Sequence, residues 1–319
     1  MFKYVLKRIA LVFVTFFIIM TMCFILIKLL QPEKPMLGAQ AAMELARREA
    51  LGYNKPILVQ YAIYLRNILT KWDWGTSWEI DYMAPVNEVI FDRLLPTVLI
   101  NMYSMIFSVP FGIMIGIYAA LKKNRWQDHL ISTWIMIFVS VPSYVYAFIV
   151  QYFLSYKTGW FPLIMSSYAD AGGTFFSWTM FRSMVLPVLA LSFSTIASLA
   201  RYTRAELTEV LTSDFMLLAR TKGLTSRQAT TRHALRNAMV PILPMIISMF
   251  IGVLDGSLII EKIFAVPGVG GLYLNSINLL DYDVFMAVGM FYTFINLSSM
   301  IVIDLSYGFI DPRVRMGER

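Results

Sequence analysis

Six apolar stretches dominate this chain, and each is about as long as a bilayer core is thick. They cover residues 9–30, 97–121, 130–156, 184–200, 239–260 and 284–310. A spanning helix needs about 20 apolar residues, and lipid accepts only helices or closed barrels. The pattern therefore predicts an all-α polytopic membrane protein with six transmembrane helices. With 58% hydrophobic and 15% charged residues and a mean hydropathy of +0.64, the chain has too little polar surface for a water-soluble fold. The residues after the first stretch, QPEKPMLG, offer no A-x-A cleavage site. A retained helix is expected there rather than a signal peptide. Cys23 is the single cysteine, so no internal disulfide framework is expected, and it reads as a small buried hydrophobe.

Basic residues give the orientation. Lys3, Lys7 and Arg8 precede the first span, Lys122, Lys123 and Arg125 separate the second and third, seven lie in 201–238, and Arg313, Arg315 and Arg319 close the tail. The short opposite loops hold only Lys157, Arg182 and Lys262, while seven more lie in the long segment 31–96, where loop charge says little about topology. Sixteen against three predicts both termini in the cytoplasm. The net charge of +7 is thereby a topology signal, and no nucleic-acid partner is expected. The chain then divides into a cytoplasmic N-terminus with the first span (1–30), an external helical segment (31–96), a membrane core (97–310) and a cytoplasmic tail (311–319). Within 31–96, residues 39–51, 56–72 and 85–94 read as helices, with Tyr61, Leu65 and Ile68 on one stripe. Trp72, Trp74 and Trp78 beside Gly75 suit an interfacial aromatic belt.

Small residues recur at a spacing of four, Gly112 with Gly116, then Ser248, Gly252 and Gly256. Such faces let helices approach closely, either within one chain or between subunits. Pro110, Pro142 and Pro187 fall inside predicted spans, where they interrupt the hydrogen-bond ladder.

The segment 201–238 is the longest charged stretch between two spans, yet it keeps an apolar helical face. Asp214 is placed to cap a short helix over 215–222, with Arg220 and Lys222 in its last turn and Gly223 at C′. Thr225 and Gln228 form a T-x-x-Q capping box for a second helix running towards Asn237. Two capped helices beside a membrane specify a docking element.

Catalytic motifs are missing. Gly-Lys never occurs, so there is no Walker A loop, and His129 and His233 have no H-E-x-x-H or cysteine partners. No enzyme, metal site or chain-bound cofactor is expected. Among charges near the spans, Asp255 lies about 24 Å along a core of about 30 Å, Asp304 approaches the cytoplasmic face and Glu261 stands at an external end. Each is expected to reach water at little cost. Asp255 reads as a pore-lining group for a cationic solute, or as a plain surface charge. After Glu261 the chain mixes an apolar run with Pro267, Gly268, Gly270 and Gly271. It reads as a re-entrant outer gate or as a plain external turn.

ARTKGL (219–224) followed by RHALRNA (232–238) and Pro241 resembles the cytoplasmic loop of bacterial ABC importer permeases, in the dipeptide/oligopeptide/nickel branch. The stretch Asp73–Ser77, the Arg93–Thr97 lead-in, Glu261 with Pro267–Gly270 and the terminal Asp311-Pro312-Arg313 are similar to that branch as well. The similarity is greatest to the first of the two permeases of an oligopeptide importer. Leu217-Leu218-Ala219 stands in place of the general Glu-Ala-Ala, and Asp255 where that family usually carries glycine or alanine. The resemblance implies a second homologous permease, two ATPase subunits that use ATP and Mg²⁺, and an extracellular or periplasmic peptide-binding protein. It also implies that Phe215, Leu218 and Ala219 enter a groove of an ATPase with Arg220 on its rim. Dipeptides, nickel and glutathione are alternative solutes. A passive channel or ion-coupled transporter is the rival class, for which no charge relay or inverted repeat is visible.

Overall fold

The computed structural model describes residues 2–30 and 41–310 of the chain. The terminal Asp311-Pro312-Arg313, Arg315, Arg319 and the stretch 31–40 lie outside the described residues. What is described is helical, with one isolated β-bridge between Thr76 and Pro85 and no strand. In order the helices are α1 (Phe2–Leu30), α2 (Ala41–Ala50), α3 (Ile57–Lys71), α4 (Val86–Leu121), α5 (Trp126–Ser140), α6 (Ser143–Val150), α7 (Trp178–Leu211), α8 (Asp214–Thr221), α9 (Ser226–Ala229), α10 (Leu235–Ile251), α11 (Leu258–Ile263), α12 (Val269–Leu279) and α13 (Tyr282–Ile310).

Five helical runs are long and apolar enough to cross a membrane, or six if one bent pair counts as a span. That pair is α5 with α6, the latter continuing as a π-helical turn through Lys157. The two meet at 101°, so the interruption expected at Pro142 splits the span 130–156 into two sharply angled helices. Pro142 has no N–H to give the ladder, and it pushes Val141 into extended backbone (φ −87°, ψ 128°).

Other boundaries move for equally local reasons. The short helix expected over 85–94 fuses with the next span into the 36-residue α4. At its start α7 is capped by the Ser177 side chain, which accepts from the Met180 N–H at 3.2 Å. It runs on to Leu211, so Arg201 and Arg204 belong to a helix and not to a loop. The second loop helix and the fifth span are one run, α9 joined to α10 through a π-helical stretch Thr230–Ala234. That run then stops early. A 3₁₀ turn, Gly252–Leu254, ends it, and the chain reaches α11 through extended backbone.

The described chain forms two compact units. The first takes Met1–Leu95 and Leu272–Ser298. Its apolar core holds Met20 and Phe24 of α1, Tyr61 and Ile68 of α3, and Met286 and Met290 of α13, with Leu65 packed against them. Buried Asp281 accepts from Ser77 Oγ at 2.7 Å and from the N–H groups of Trp78, Glu79 and Ile80 at 3.0–3.2 Å. Trp72 and Trp74 pack edge to face. The Trp78 indole N–H donates to Asp283 Oδ2 at 3.3 Å.

The second unit takes Pro96–Gly271 and Ser299–Arg319. Leu99, Ile100, Ala147, Met180, Met184, Leu186, Ile260 and Phe264 form its main core. Here the first small-residue pair works within the chain. A Cβ at Gly112 would come within 2.7 Å of Leu199 Cβ, and one at Gly116 within 2.5 Å of Thr203 Cβ, so α4 and α7 touch through these positions. Gly252 differs, since a Cβ there would meet nothing within 4 Å.

Candidate functional site

Helix α8 has eight residues, and its ends are set by its own sequence. Ser213, not Asp214, occupies the N-cap position, and its Oγ donates to the Val210 carbonyl at 2.6 Å rather than capping α8. Asp214 lies in the first turn, where its charge opposes the helix dipole, and Arg220 does the same in the last. Lys222 is the C-cap. Gly223 follows at φ +88°, and the N–H groups of Gly223 and Leu224 return to Arg220 O and Ala219 O at 3.0 and 3.3 Å. This is the double closure of a left-handed helix end, which needs glycine for its φ. The Thr225–Gln228 capping box forms with both of its hydrogen bonds.

The faces of α8 are divided in a way the sequence did not reveal. Met216, 1% exposed, is the inward residue, seated with Leu207, Ala120, Ala229, Ala234 and Ala238. Ala219 and Leu224 pack against the same cluster, so Ala219 is turned in part towards its own chain. Phe215, Leu217 and Leu218 are 42%, 65% and 55% exposed. Leu217 was missed by the sequence reading. The run Phe-Met-Leu-Leu-Ala carries more apolar residues than one inner face of two turns uses, and that surplus was the available signal.

A second unforeseen element anchors the helix that leads into α8. Arg204 of α7 grips Asp128 of α5 with two bonds, Nε to Oδ1 at 2.5 Å and Nη2 to Oδ2 at 2.9 Å. Asp128 is 1% exposed and also accepts the Asn124 N–H at 3.0 Å. Nothing in the spacing of two residues 76 positions apart pointed to this pair.

Glu261 is not the water-facing charge that was expected. It is 3% exposed. Its Oε1 accepts from Thr97 Oγ1 at 2.9 Å, its Oε2 accepts from the Gly271 N–H at 2.8 Å, and Thr97 Oγ1 in turn accepts the Val269 N–H at 2.9 Å. Val269 and Gly271 open helix α12, whose first N–H groups have no partner inside the helix. The carboxylate is thus a distant cap on α12, favoured there by the helix dipole. Space around it is tight. A Cβ on Gly268 would collide with Glu261 Oε2 and Thr97 Oγ1, and one on Gly270 would lie 3.0 Å from Oε2. Pro267 precedes this turn. Burial pushes the Glu261 pKa up, against the opposing pull of the hydrogen bonds from Gly271 and Thr97.

Asp255 stands where the α10 run is broken, in extended backbone (φ −79°, ψ 111°). Asn101 of α4 spans the break, its side-chain amide donating to Val253 O at 3.1 Å and to Asp255 O at 2.9 Å. Asp255 itself is half-buried. The site groups are therefore structural and mechanical in kind: an exposed apolar helix, an ion pair behind it, a buried cap and a broken span. Among the described residues no three His, Cys, Asp or Glu side chains gather as a metal site would need.

Comparisons with known proteins cover nearly the whole length of the chain. The family model described as "Binding-protein-dependent transport system inner membrane component" matches residues 112–316. The model for the N-terminal part of such membrane components matches residues 1–100. The dipeptide transport system permease protein DppB of Lactococcus lactis subsp. cremoris is 33% identical over 318 residues, covering 99% of this chain and 100% of that one. The glutathione transport system permease protein GsiC of Escherichia coli (strain K12) is 32% identical over 320 residues, with 99% of each covered. A solved structure of an amino acid ABC transporter with histidines aligns with 68% of this chain and 92% of its own at 19% identity, TM-score 0.46. The chain belongs to the family of binding-protein-dependent transport system inner membrane components.

Proposed function

We propose that this cell-membrane permease subunit of an ABC importer carries peptides, and that α8 couples it to the ATPases of its complex. One observation carries the coupling assignment. A short helix closed at its C-terminal end by Gly223 exposes Phe215, Leu217 and Leu218 outward while Met216 is seated on Leu207 of α7 and on Ala229 and Ala234. Three large apolar side chains on a charged segment are costly to leave in water, and they have the form of a helix laid into a partner's groove. A push on α8 would pass directly to α7 and to the α9–α10 run, which are the two spanning runs flanking it.

The basic-residue asymmetry supports placing α8 and both termini in the cytoplasm. ATP and Mg²⁺ would then be handled by partner subunits, with a second homologous permease completing the pore and an external binding protein delivering the solute. Residues 201–238 act as the coupling segment. Glu261 with Pro267, Gly268 and Gly270 braces the outer end, and the described residues 41–95 lie on the external side. Peptide is the solute class supported by relatives named for dipeptide and for glutathione, and oligopeptides belong on the same panel.

The test is reconstitution of the permease pair with its ATPases and binding protein in proteoliposomes. ATP-dependent uptake of labelled dipeptides, longer peptides or glutathione is expected, with nickel ion as the competing solute. Uptake that proceeds without ATPases, as through a channel, would overturn the reading. Maleimide labelling of a Leu217→Cys variant from the cytoplasmic side alone checks the orientation.

A further inference from the structure

The break after α10 is built, not frayed. Helix geometry tightens to 3₁₀ over Gly252–Leu254 and then opens, and the carbonyls of Val253 and Asp255 are both taken by the Asn101 amide. The Asp255 carboxyl is left in a different condition. Its Oδ1 is buried and receives no hydrogen bond from any described residue. The residue as a whole is half-buried, so it is not sealed inside the chain. It forms no ion pair within the described chain.

A carboxylate at the end of an apolar span is expensive unless a cation or water completes it. Gly252 is three residues earlier, on the same edge of a 3₁₀ turn, and has open space where a side chain would be. The backbone is thus bare beside the unfinished carboxyl, and a group from outside the chain has access to both.

We infer that Asp255 is a cation-recognition group on the translocation path, taking the protonated amino group of the imported solute. This rests on the importer reading above. The dipeptide and glutathione named for two relatives share one cationic feature, a primary ammonium at the amino terminus. An ammonium supplies up to three N–H donors to a carboxylate that has at least one free oxygen.

The experiment compares wild type, Asp255→Asn and Asp255→Glu in the reconstituted four-part complex. It measures ATP-dependent uptake of one free-amine peptide and of the same peptide N-acetylated. The same binding protein serves all three permeases, so its own preference cancels between variant and wild type. Asp255→Asn is expected to lower the ratio of free-amine to acetylated uptake about tenfold or more, the size of a lost charge-assisted hydrogen bond. Asp255→Glu should restore much of it. An unchanged ratio, or equal losses for both peptides, overturns the inference while leaving the importer reading intact. So does loss of the second permease from the purified Asp255→Asn complex, which would assign the carboxylate to a subunit contact. If the wild type takes up neither peptide, the importer reading fails and the inference with it.

Discussion

Thr97 and Glu261, 164 positions apart, share a hydrogen bond of 2.9 Å in which the hydroxyl donates to Oε1. The same hydroxyl accepts the Val269 N–H, so one threonine joins the start of α12 to the carboxylate that caps it. Thr97→Val removes a donor and an acceptor together, and leaves a buried N–H and a carboxylate oxygen short of partners. A loss of about 1–3 kcal/mol is expected, and Thr97→Ser should keep most of it. Thermal unfolding of detergent-purified protein measures both, and equal melting of Thr97→Val and wild type would remove the capping role.

Glycine is needed for two different reasons in this chain, and alanine separates them. At Gly268 the added Cβ collides with Glu261 Oε2 and Thr97 Oγ1, so Gly268→Ala should cost about 1–3 kcal/mol by overpacking. At Gly223 nothing lies within 4 Å of a Cβ, but φ is +88°. Gly223→Ala should cost about 1–2 kcal/mol through backbone strain. Partial relief of the first cost, since Thr97 remains, and none of the second in a Glu261→Ala background is the expected pattern in melting experiments.

Burial raises the Glu261 pKa above its ordinary value of 4.5. The folded chain therefore binds a proton here more tightly than the unfolded one. The associated stability is fully present below the unfolded value and is lost as pH rises through the folded value. Melting temperatures of wild type and Glu261→Gln between pH 4 and 8 should show the wild type's relative advantage shrinking with rising pH. A relative advantage that grows instead would mean that the hydrogen bonds outweigh burial.

Arg204 and Asp128 form a pair whose acid is buried and whose base is partly exposed. Arg204→Ala strands the carboxylate, and a cost of about 3–5 kcal/mol is expected. Removing both partners, Asp128→Ala with Arg204→Ala, should recover part of it, and Arg204→Lys should fall between because it lacks the two-pronged geometry. Strict additivity of the two single variants would argue against a direct coupling.

Local signals in the sequence translated well where the deciding atoms are close in the chain. The Thr225–Gln228 box and the left-handed Gly223 depend on neighbours three to five residues away, and both are present. The apolar lengths likewise revealed a multi-span helical protein. What stayed hidden was decided from afar. The break at Asp255 is held by Asn101, more than 150 positions earlier, so an unbroken apolar run was the natural expectation for 239–260. Glu261 looked exposed because the donor that buries it, Thr97, belongs to another helix. At Pro142 the sequence marked an interruption, but the 101° turn of α5 against α6 also needs somewhere for the second half to pack, which it finds against α7.

The exposed face of α8 admits the most direct measurement. Phe215→Asp with Leu217→Asp leaves Met216 seated and changes only the outward side chains, so the permease pair should still assemble in the membrane. Tagged complexes would be purified and their ATPase content measured alongside ATP-dependent peptide uptake. The expected result is a folded permease pair that retains less than a tenth of the wild-type ATPase and transports nothing, since two buried apolar anchors become unpaired charges at the interface. Full ATPase content with wild-type uptake would contradict α8 as the coupling element.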